Sequence, residues 1–91
     1  MQEENSNFNM FRVKMGGVVR KLRIERGFLS LNKFALEYDI NRANLSKIER
    51  GEVGCSLAMA WKISEALGLK FSEFVKILEK ELGDKFTFID A

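Results

Sequence analysis

The sequence predicts an all-α fold of five short helices, and three observations point to this class. The chain of 91 residues contains no proline, the residue that breaks helices most strongly. Apolar residues recur at the helical spacings of three and four, beginning with Phe8, Phe11, Met15, Val18 and Leu22. Glycines and capping residues separate the periodic segments from one another. A chain of this length forms one domain with a small core, so oligomerisation would add to its stability.

The first helix is expected at about residues 7–26, with Gly27 just after its end. Gly16 and Gly17 interrupt its apolar pattern at a cost of ~1–2 kcal/mol relative to alanine, and we expect any bend to occur there. The alternative is a separate N-terminal segment, helical or strand-like, with the true first helix starting at Gly17. On this basis the chain divides into an N-terminal extension (1–15), a helical domain (16–82) and a C-terminal tail (83–91).

The second and third helices, residues 31–38 and 42–50, are predicted to form a closely joined pair. Ser30 and Asn41 are suitable N-caps for them. Asp39 stands at the sharp turn, where it tolerates a left-handed backbone better than most residues. The inward side chains are Phe34, Ala35, Tyr38, Leu45 and Ile48. The outward face of the third helix carries Arg42, Asn44, Ser46, Lys47 and Arg50. Basic and amide groups on one exposed helix face are what reading of the DNA major groove requires.

Two further helices and a tail complete the chain. Ser56 is expected to cap the fourth helix, residues 57–67, and Ser72 the fifth, which ends near Leu82. The apolar positions of the fourth helix surround a stripe that faces the core: Leu57, Ala60, Trp61, Ile63, Ala66 and Leu67. We therefore expect Trp61 to be a core residue. Residues 85–90 have strand propensity but are too few to form a stable element alone.

Positive charge is concentrated on the segment that contains the helix pair. Residues 12–51 carry ten Lys and Arg against four Asp and Glu, a net charge of +6, whereas the rest of the chain carries −4. This distribution is typical of a surface that binds phosphates. The alternative interpretation is that these charges only keep a small helical protein in solution.

Several classes of protein are not expected. The chain contains no His to act as a general base and no phosphate-loop motif, so we do not expect an enzyme or a cofactor. Its single cysteine, Cys55, can form neither an internal disulfide nor a metal site, and only its place just before a helix would favour a redox role. No apolar run is long enough to span a membrane, and a cytoplasmic location is expected.

The order of these features resembles the phage-repressor/Cro-like helix-turn-helix family, also called the XRE family, over about residues 16–78. The matching positions are Leu22, Arg23, Gly27, Phe34, Ala35, Ile40, Leu45, the run Ile48-Glu49-Arg50-Gly51, Ser56, Leu57, Ala66, Leu67 and Gly68. The resemblance implies a five-helix lambda-repressor-like domain that binds specific DNA sequences with its third helix in the major groove. It also implies a two-fold dimer on a palindromic operator.

The chain departs from the family pattern in four places. Asp39 replaces a common glycine at the turn, and Cys55 stands where proline often precedes the fourth helix. Leu31 replaces a polar residue, often glutamine, which weakens the case for a phosphate contact from the first side chain of helix two. The loop of residues 52–55 has no cation, which argues against a DNA contact from that loop.

The resemblance assigns DNA contacts residue by residue. The positions that read base edges correspond to Arg42, Ala43, Asn44 and Lys47. Arg and Lys can donate to guanine, Asn can bind adenine or a phosphate, and alanine can only touch a thymine methyl group. The side chains expected at phosphates are Ser30, Asn32, Asn41 and Arg50. The family also places a structural salt bridge between helix one and the end of helix three, here Arg23 and Glu49.

The tail is too apolar to lie in water at no cost, so it either folds back on helices one and five or pairs with a second chain. We predict a homodimer through helix five and the tail, to which residues 8–15 can add. Its interface residues would be Phe74, Leu78, Phe86, Phe88 and Ile89. The predicted function is a DNA-binding transcriptional regulator. The alternative is an antitoxin-like or adapter module whose main partner is another protein.

Overall fold

The computed structural model describes residues 6–89, which form five α-helices and no strand. The helices are α1 (Ser6–Glu25), α2 (Leu31–Glu37), α3 (Arg42–Glu49), α4 (Leu57–Ala66) and α5 (Phe71–Leu82). The all-α prediction is confirmed, and the first four helices each end one residue before the predicted end. None of the helices in this part of the chain is long and apolar enough to cross a bilayer. Residues 1–5 of the predicted extension and residues 90–91 of the predicted tail lie outside the described residues.

Helix α1 continues through Gly16 and Gly17 without interruption. The prediction of one helix is therefore confirmed, and the alternative start at Gly17 is wrong. Met15, Val18 and Val19 are buried on one side of this helix, at and beyond the glycines. Burial of these apolar side chains offsets the low helix propensity of the glycine pair. Residues 6–15 thus form the first half of the same helix that enters the core.

The α2–α3 pair has the local geometry that the sequence predicts. The Ser30 hydroxyl accepts a hydrogen bond from the backbone N–H of Lys33 at 3.1 Å. The Asn41 side-chain oxygen accepts one from the backbone N–H of Asn44 at 2.8 Å. Asp39 adopts the left-handed conformation, with φ of 55°. Both helices therefore start at side-chain caps, and the turn sets the angle between them.

The core is centred on α1, which packs against α3 and α5, while α2 packs on α3 and α4 packs on α5. Its largest fully buried apolar side chains come from all five helices: Val19, Phe34, Leu45, Ile48, Ile63 and Phe74. The inward stripes predicted for α2 and α3 are confirmed by the burial of Phe34, Ala35, Leu45 and Ile48. This core supports α3 from behind and leaves its opposite face exposed.

The prediction that Trp61 is a core residue is wrong. Its side chain is 52% exposed and stacks on Phe71, with ring centroids 4.9 Å apart. Its indole N–H donates to the Glu65 carboxylate at 3.1 Å. Leu57, one helical turn earlier, is 72% exposed. The inner face of α4 is already filled by Ala60, Ile63, Ala66 and Leu67.

With Ser72 as its N-cap, α5 would start at Glu73, but it starts two residues earlier, at Phe71. Lys70 occupies the N-cap position and Phe71 is the first helical residue. The Glu73 carboxylate accepts a hydrogen bond from the backbone N–H of Lys70 at 2.8 Å. This is the half of a capping box in which the side chain at the third helical position accepts from the N-cap backbone, and Ser72 lies inside the first turn.

Of the two alternatives for the tail, the structure shows the first, since residues 83–89 fold back on α1 in turns and bends and form no strand. The Phe88 ring lies 4.5 Å from the Phe8 ring and 5.6 Å from the Phe11 ring, measured between centroids. Phe86 packs against Phe11 and Phe88 at 6.2 and 5.0 Å. Aromatic packing within the chain therefore replaces strand pairing as the means of covering these side chains.

This packing corrects part of the predicted dimer interface. Phe74 is only 1% exposed, and Leu78 is also buried in the core of the same chain. Neither side chain has surface left to offer a second copy. Phe86 and Phe88 pack against α1, but Phe88 is still 37% exposed and Ile89 is 82% exposed.

Candidate nucleic-acid interface

The exposed face of α3 and the start of α2 form one shared surface, which we call the α3 face. A shallow depression in it is lined by Leu31, Asn32, Arg42, Ala43, Ser46, Lys47 and Arg50. The structure thus brings together three of the four side chains predicted to read bases, Arg42, Ala43 and Lys47. It also places two of the predicted phosphate ligands, Asn32 and Arg50, on the same surface.

The size and charge of α3 suit a DNA groove. The helix has eight residues, so it is about 12 Å long. The B-DNA major groove is about 12 Å wide and admits one α-helix. Arg42, Lys47 and Arg50 are exposed and lie along one side of the helix. This arrangement can present three cations to phosphates or to guanine edges at once.

The other side chains predicted to contact DNA lie outside the depression. Asn44 is half-buried, and its backbone N–H is held by the Asn41 cap. Ser30 and Asn41 use their side-chain oxygens as caps for α2 and α3. Those caps do not use the Ser30 hydroxyl hydrogen or the Asn41 amide nitrogen, which are the donors that a phosphate would need. None of these three side chains lines the depression.

Arg50 is held by two neighbours on the α3 face. Its Nε donates to the Glu52 carboxylate at 2.5 Å, and its Nη1 donates to the Ser46 hydroxyl. The hydrogen bond from Arg50 lowers the pKa of the Glu52 carboxyl below its usual value, and the nearby charge of Lys47 acts in the same direction. The same hydrogen bond raises the pKa of Arg50. Arg50 is therefore paired with an acid within the chain.

The expected Arg23–Glu49 pair is present behind α3. Arg23 donates from Nε to Glu49 Oε2 at 2.8 Å and from Nη2 to Oε1 at 3.0 Å. Its Nη1 donates to the carbonyls of Phe28 and Leu29 at 2.6 and 3.1 Å. The two charged side chains are only 5% and 4% exposed. This buried network ties α1 to the end of α3 and to the loop that precedes α2.

Gly16 provides a second contact between α1 and the end of α3. A methyl group on Gly16 would lie 2.6 Å from the carbonyl oxygen of Glu49 and closer still to that of Ile48. Gly17 has no such neighbour within 4 Å. The two helices therefore approach backbone to backbone at Gly16. The position of α3 depends on the absence of a side chain there.

An apolar groove lies between α1, α4 and α5. Its lining includes Phe11, Cys55, Leu57, Phe71, Val75 and Leu82. Trp61 stacks on Phe71 at its border. Burial raises the pKa of the Cys55 thiol, which keeps it protonated at neutral pH and favours packing over redox chemistry. The exposed Leu57 and Trp61 side chains give this face the character of a contact surface.

Sequence reasoning placed Ser46 on the outward face of the third helix but missed its contact with Arg50, and it missed the contacts of Glu52 and Gly16 altogether. Ser46 precedes Arg50 by one helical turn, so helical periodicity was sufficient to place the two together. The signal for Glu52 was its negative charge two residues after Arg50. The close approach at Gly16 left no signal beyond the glycine itself.

The similarity to known proteins covers the part of the chain that contains the α3 face. Residues 19–74 match the family model described as helix-turn-helix (HTH_3). Control protein C.MunI from Mycoplasma sp is 38% identical over 73 residues, which are 80% of this chain and 99% of C.MunI. Control protein C.BamHI from Bacillus amyloliquefaciens is 40% identical over 62 residues, which are 68% of this chain and 76% of C.BamHI.

One solved structure is similar to this chain in fold as well as in sequence. It is the restriction-modification controller protein C.Esp1396I, a tetramer in complex with its natural 35 base-pair operator. The sequence identity is 25% and the TM-score is 0.70. The match covers 79% of this chain and 93% of that chain.

Proposed function

The chain belongs to the helix-turn-helix (HTH_3) family and is a DNA-binding transcriptional regulator, and we propose that it reads its operator with α3 in the major groove. The observation that carries this proposal is the α3 face, where Arg42, Lys47 and Arg50 line one depression on an exposed helix. The relatives reported above are regulatory proteins, and the proposed function includes no catalytic step. We assign it to the cytoplasm.

Each side chain on this face has a role that its chemistry allows. Arg42 and Lys47 donate to guanine O6 and N7, and Ala43 contacts a thymine methyl group. Asn32 and Arg50, at the border of the depression, bind phosphates together with the donors of Ser30 and Asn41. Asn44, which is half-buried, reaches either an adenine or a phosphate from the side of the helix.

We infer that two copies act together on a palindromic operator. One short helix contacts few base pairs, and two-fold dimers of such modules read two half-sites about one helical turn apart. C.Esp1396I binds its operator as a tetramer, which supports assembly on DNA for this chain as well. Because Phe74 and Leu78 are buried within the chain, the second copy cannot pack on them.

The contact surface that best suits a second copy is the apolar groove with its exposed neighbours. Leu57 in the groove lining and Trp61 at its border are both exposed, so the side chains of one copy can enter the groove of the other. A two-fold interface needs such self-complementarity, because each residue meets its counterpart surface in the partner. Ile89, which is also exposed, can add to this contact from the tail.

Selection from random DNA duplexes tests the DNA-binding proposal. We expect enrichment of a palindrome and affinity that falls steeply with salt, because bound cations release counterions. On the selected site, Arg42→Ala and Lys47→Ala should each weaken binding by about 1–3 kcal/mol and relax specificity at one position. Lys80→Ala on α5 is the control and should retain wild-type affinity. Fluorescence anisotropy gives the dissociation constants.

Other outcomes of this selection point elsewhere. The absence of binding even at low salt would favour the antitoxin-like or adapter function, in which the main partner is a protein. Binding without any enriched sequence would contradict base reading by α3, although it would leave a phosphate-binding surface.

Substitution of Leu57 tests the dimer. We expect Leu57→Glu to give a monomer by light scattering at concentrations where the wild type is a dimer, because the new charge cannot be buried at an apolar interface. Leu36→Glu is the control, since Leu36 is also largely exposed but lies on α2. If removal of residues 84–91 abolished the dimer while Leu57→Glu remained dimeric, the interface would be formed by the tail and not by the groove.

A further inference from the structure

Glu52 lies directly beside a cation of the α3 face. Its carboxylate accepts the Nε–H of Arg50 at 2.5 Å, and the Ser46 hydroxyl accepts from Nη1 of the same guanidinium. Ser46 and Arg50 both line the depression that also contains Arg42 and Lys47. A negative charge is thus fixed at the border of a surface that otherwise offers cations.

The Arg50–Glu52 pair contributes little to folding. Its side chains are 55% and 51% exposed, and ion pairs in such positions add little net stability because water screens them. The same donors of Arg50 are those that a DNA phosphate would use, since carboxylate and phosphate oxygens bind a guanidinium in similar geometry. A phosphate at Arg50 must therefore displace the Glu52 carboxylate or approach next to it.

We propose that Glu52 limits DNA affinity by competing with backbone phosphates for Arg50. The inference rests on the proposed function, because it assumes that the α3 face binds DNA. Phosphate contacts carry no sequence information, so the carboxylate restrains the sequence-independent part of binding. Glu52 therefore keeps the protein from binding tightly at sites where α3 makes no base contacts.

A double-mutant cycle on the full chain tests this role. The variants are Glu52→Gln, Arg50→Gln and the combination, and the probe is a random-sequence DNA duplex titrated over a salt series. Glu52→Gln should bind about three- to tenfold more tightly than the wild type, with a salt slope steeper by about one. In the Arg50→Gln background, Glu52→Gln should increase the DNA affinity clearly less, because the guanidinium for which Glu52 and the phosphates compete is absent. Glu81→Gln on α5 removes an equal charge elsewhere and should bind like the wild type.

Three results would overturn the proposal. Affinity that is unchanged or weaker in Glu52→Gln, with normal salt-sensitive binding by the wild type, would refute competition while leaving the proposed function intact. An equal gain with and without Arg50 would show general charge repulsion instead of competition. A wild type that binds no duplex at low salt would refute both the proposed function and this inference. Thermal unfolding of each variant establishes that the compared proteins are folded.

Discussion

Replacing Gly16 by alanine is expected to destabilise the protein by about 1–3 kcal/mol, although alanine is the better helix former. The new methyl group would lie 2.6 Å from the Glu49 carbonyl oxygen, which belongs to the backbone and cannot rotate away. The end of α3 must then move from α1. That movement also disturbs Gly51, whose backbone packs against Val13 just after α3.

Gly17 supplies a matched control one residue away on the same helix. A methyl group on Gly17 meets nothing within 4 Å, so Gly17→Ala should stabilise the protein by about 0.8–1 kcal/mol. In a domain of this size each kcal/mol shifts the melting temperature by about 4–8 °C, so circular dichroism will separate the two variants. Gly16→Ala should also bind DNA more weakly because α3 is displaced. Equal stabilisation by both substitutions would contradict the close approach of α1 and α3.

Replacing Arg23 by alanine is expected to cost about 3–5 kcal/mol, which is a large part of the stability of a small domain. The Glu49 carboxylate would remain in a site that is only 4% exposed, without the cation that pairs with it. The carbonyls of Phe28 and Leu29 would lose their donor as well. Both the melting temperature and the DNA affinity should therefore fall. Arg20→Ala, which removes an exposed cation from the same helix, should leave the melting temperature near that of the wild type.

The double substitution Arg23→Met with Glu49→Leu separates stability from orientation. Apolar residues of similar volume often replace a buried ion pair without loss, so much of the stability should return. DNA affinity should recover less, because Met and Leu do not fix the angle of α3 as a bidentate pair does. Denaturant unfolding and anisotropy on the same samples measure the two effects. If Arg23→Ala were as stable as the wild type, this would contradict a structural role for the Arg23–Glu49 pair.

The start and end of most helices were accessible from the sequence because capping and apolar periodicity act between neighbours in the chain. Ser30 and Asn41 cap α2 and α3 as predicted, and Asp39 adopts the left-handed turn. The start of α5 was missed for an equally local reason, since Lys70 stands at the N-cap and its backbone N–H donates to the Glu73 carboxylate. The Arg23–Glu49 pair joins residues 26 positions apart and was expected only from the family resemblance.

The sequence by itself determined the all-α class, the helix pair and the cationic side of α3, because these follow from local pattern and composition. Only the tertiary structure decided how α3 is held and which aromatic residues are covered. At Gly16 two backbones meet with no room for a side chain, and Trp61 is exposed because smaller residues fill the inner face of α4. Phe86 and Phe88 pack against α1 in the same chain, and Phe88 stays 37% exposed. Such outcomes depend on contacts between distant segments, and no local pattern in the sequence records them.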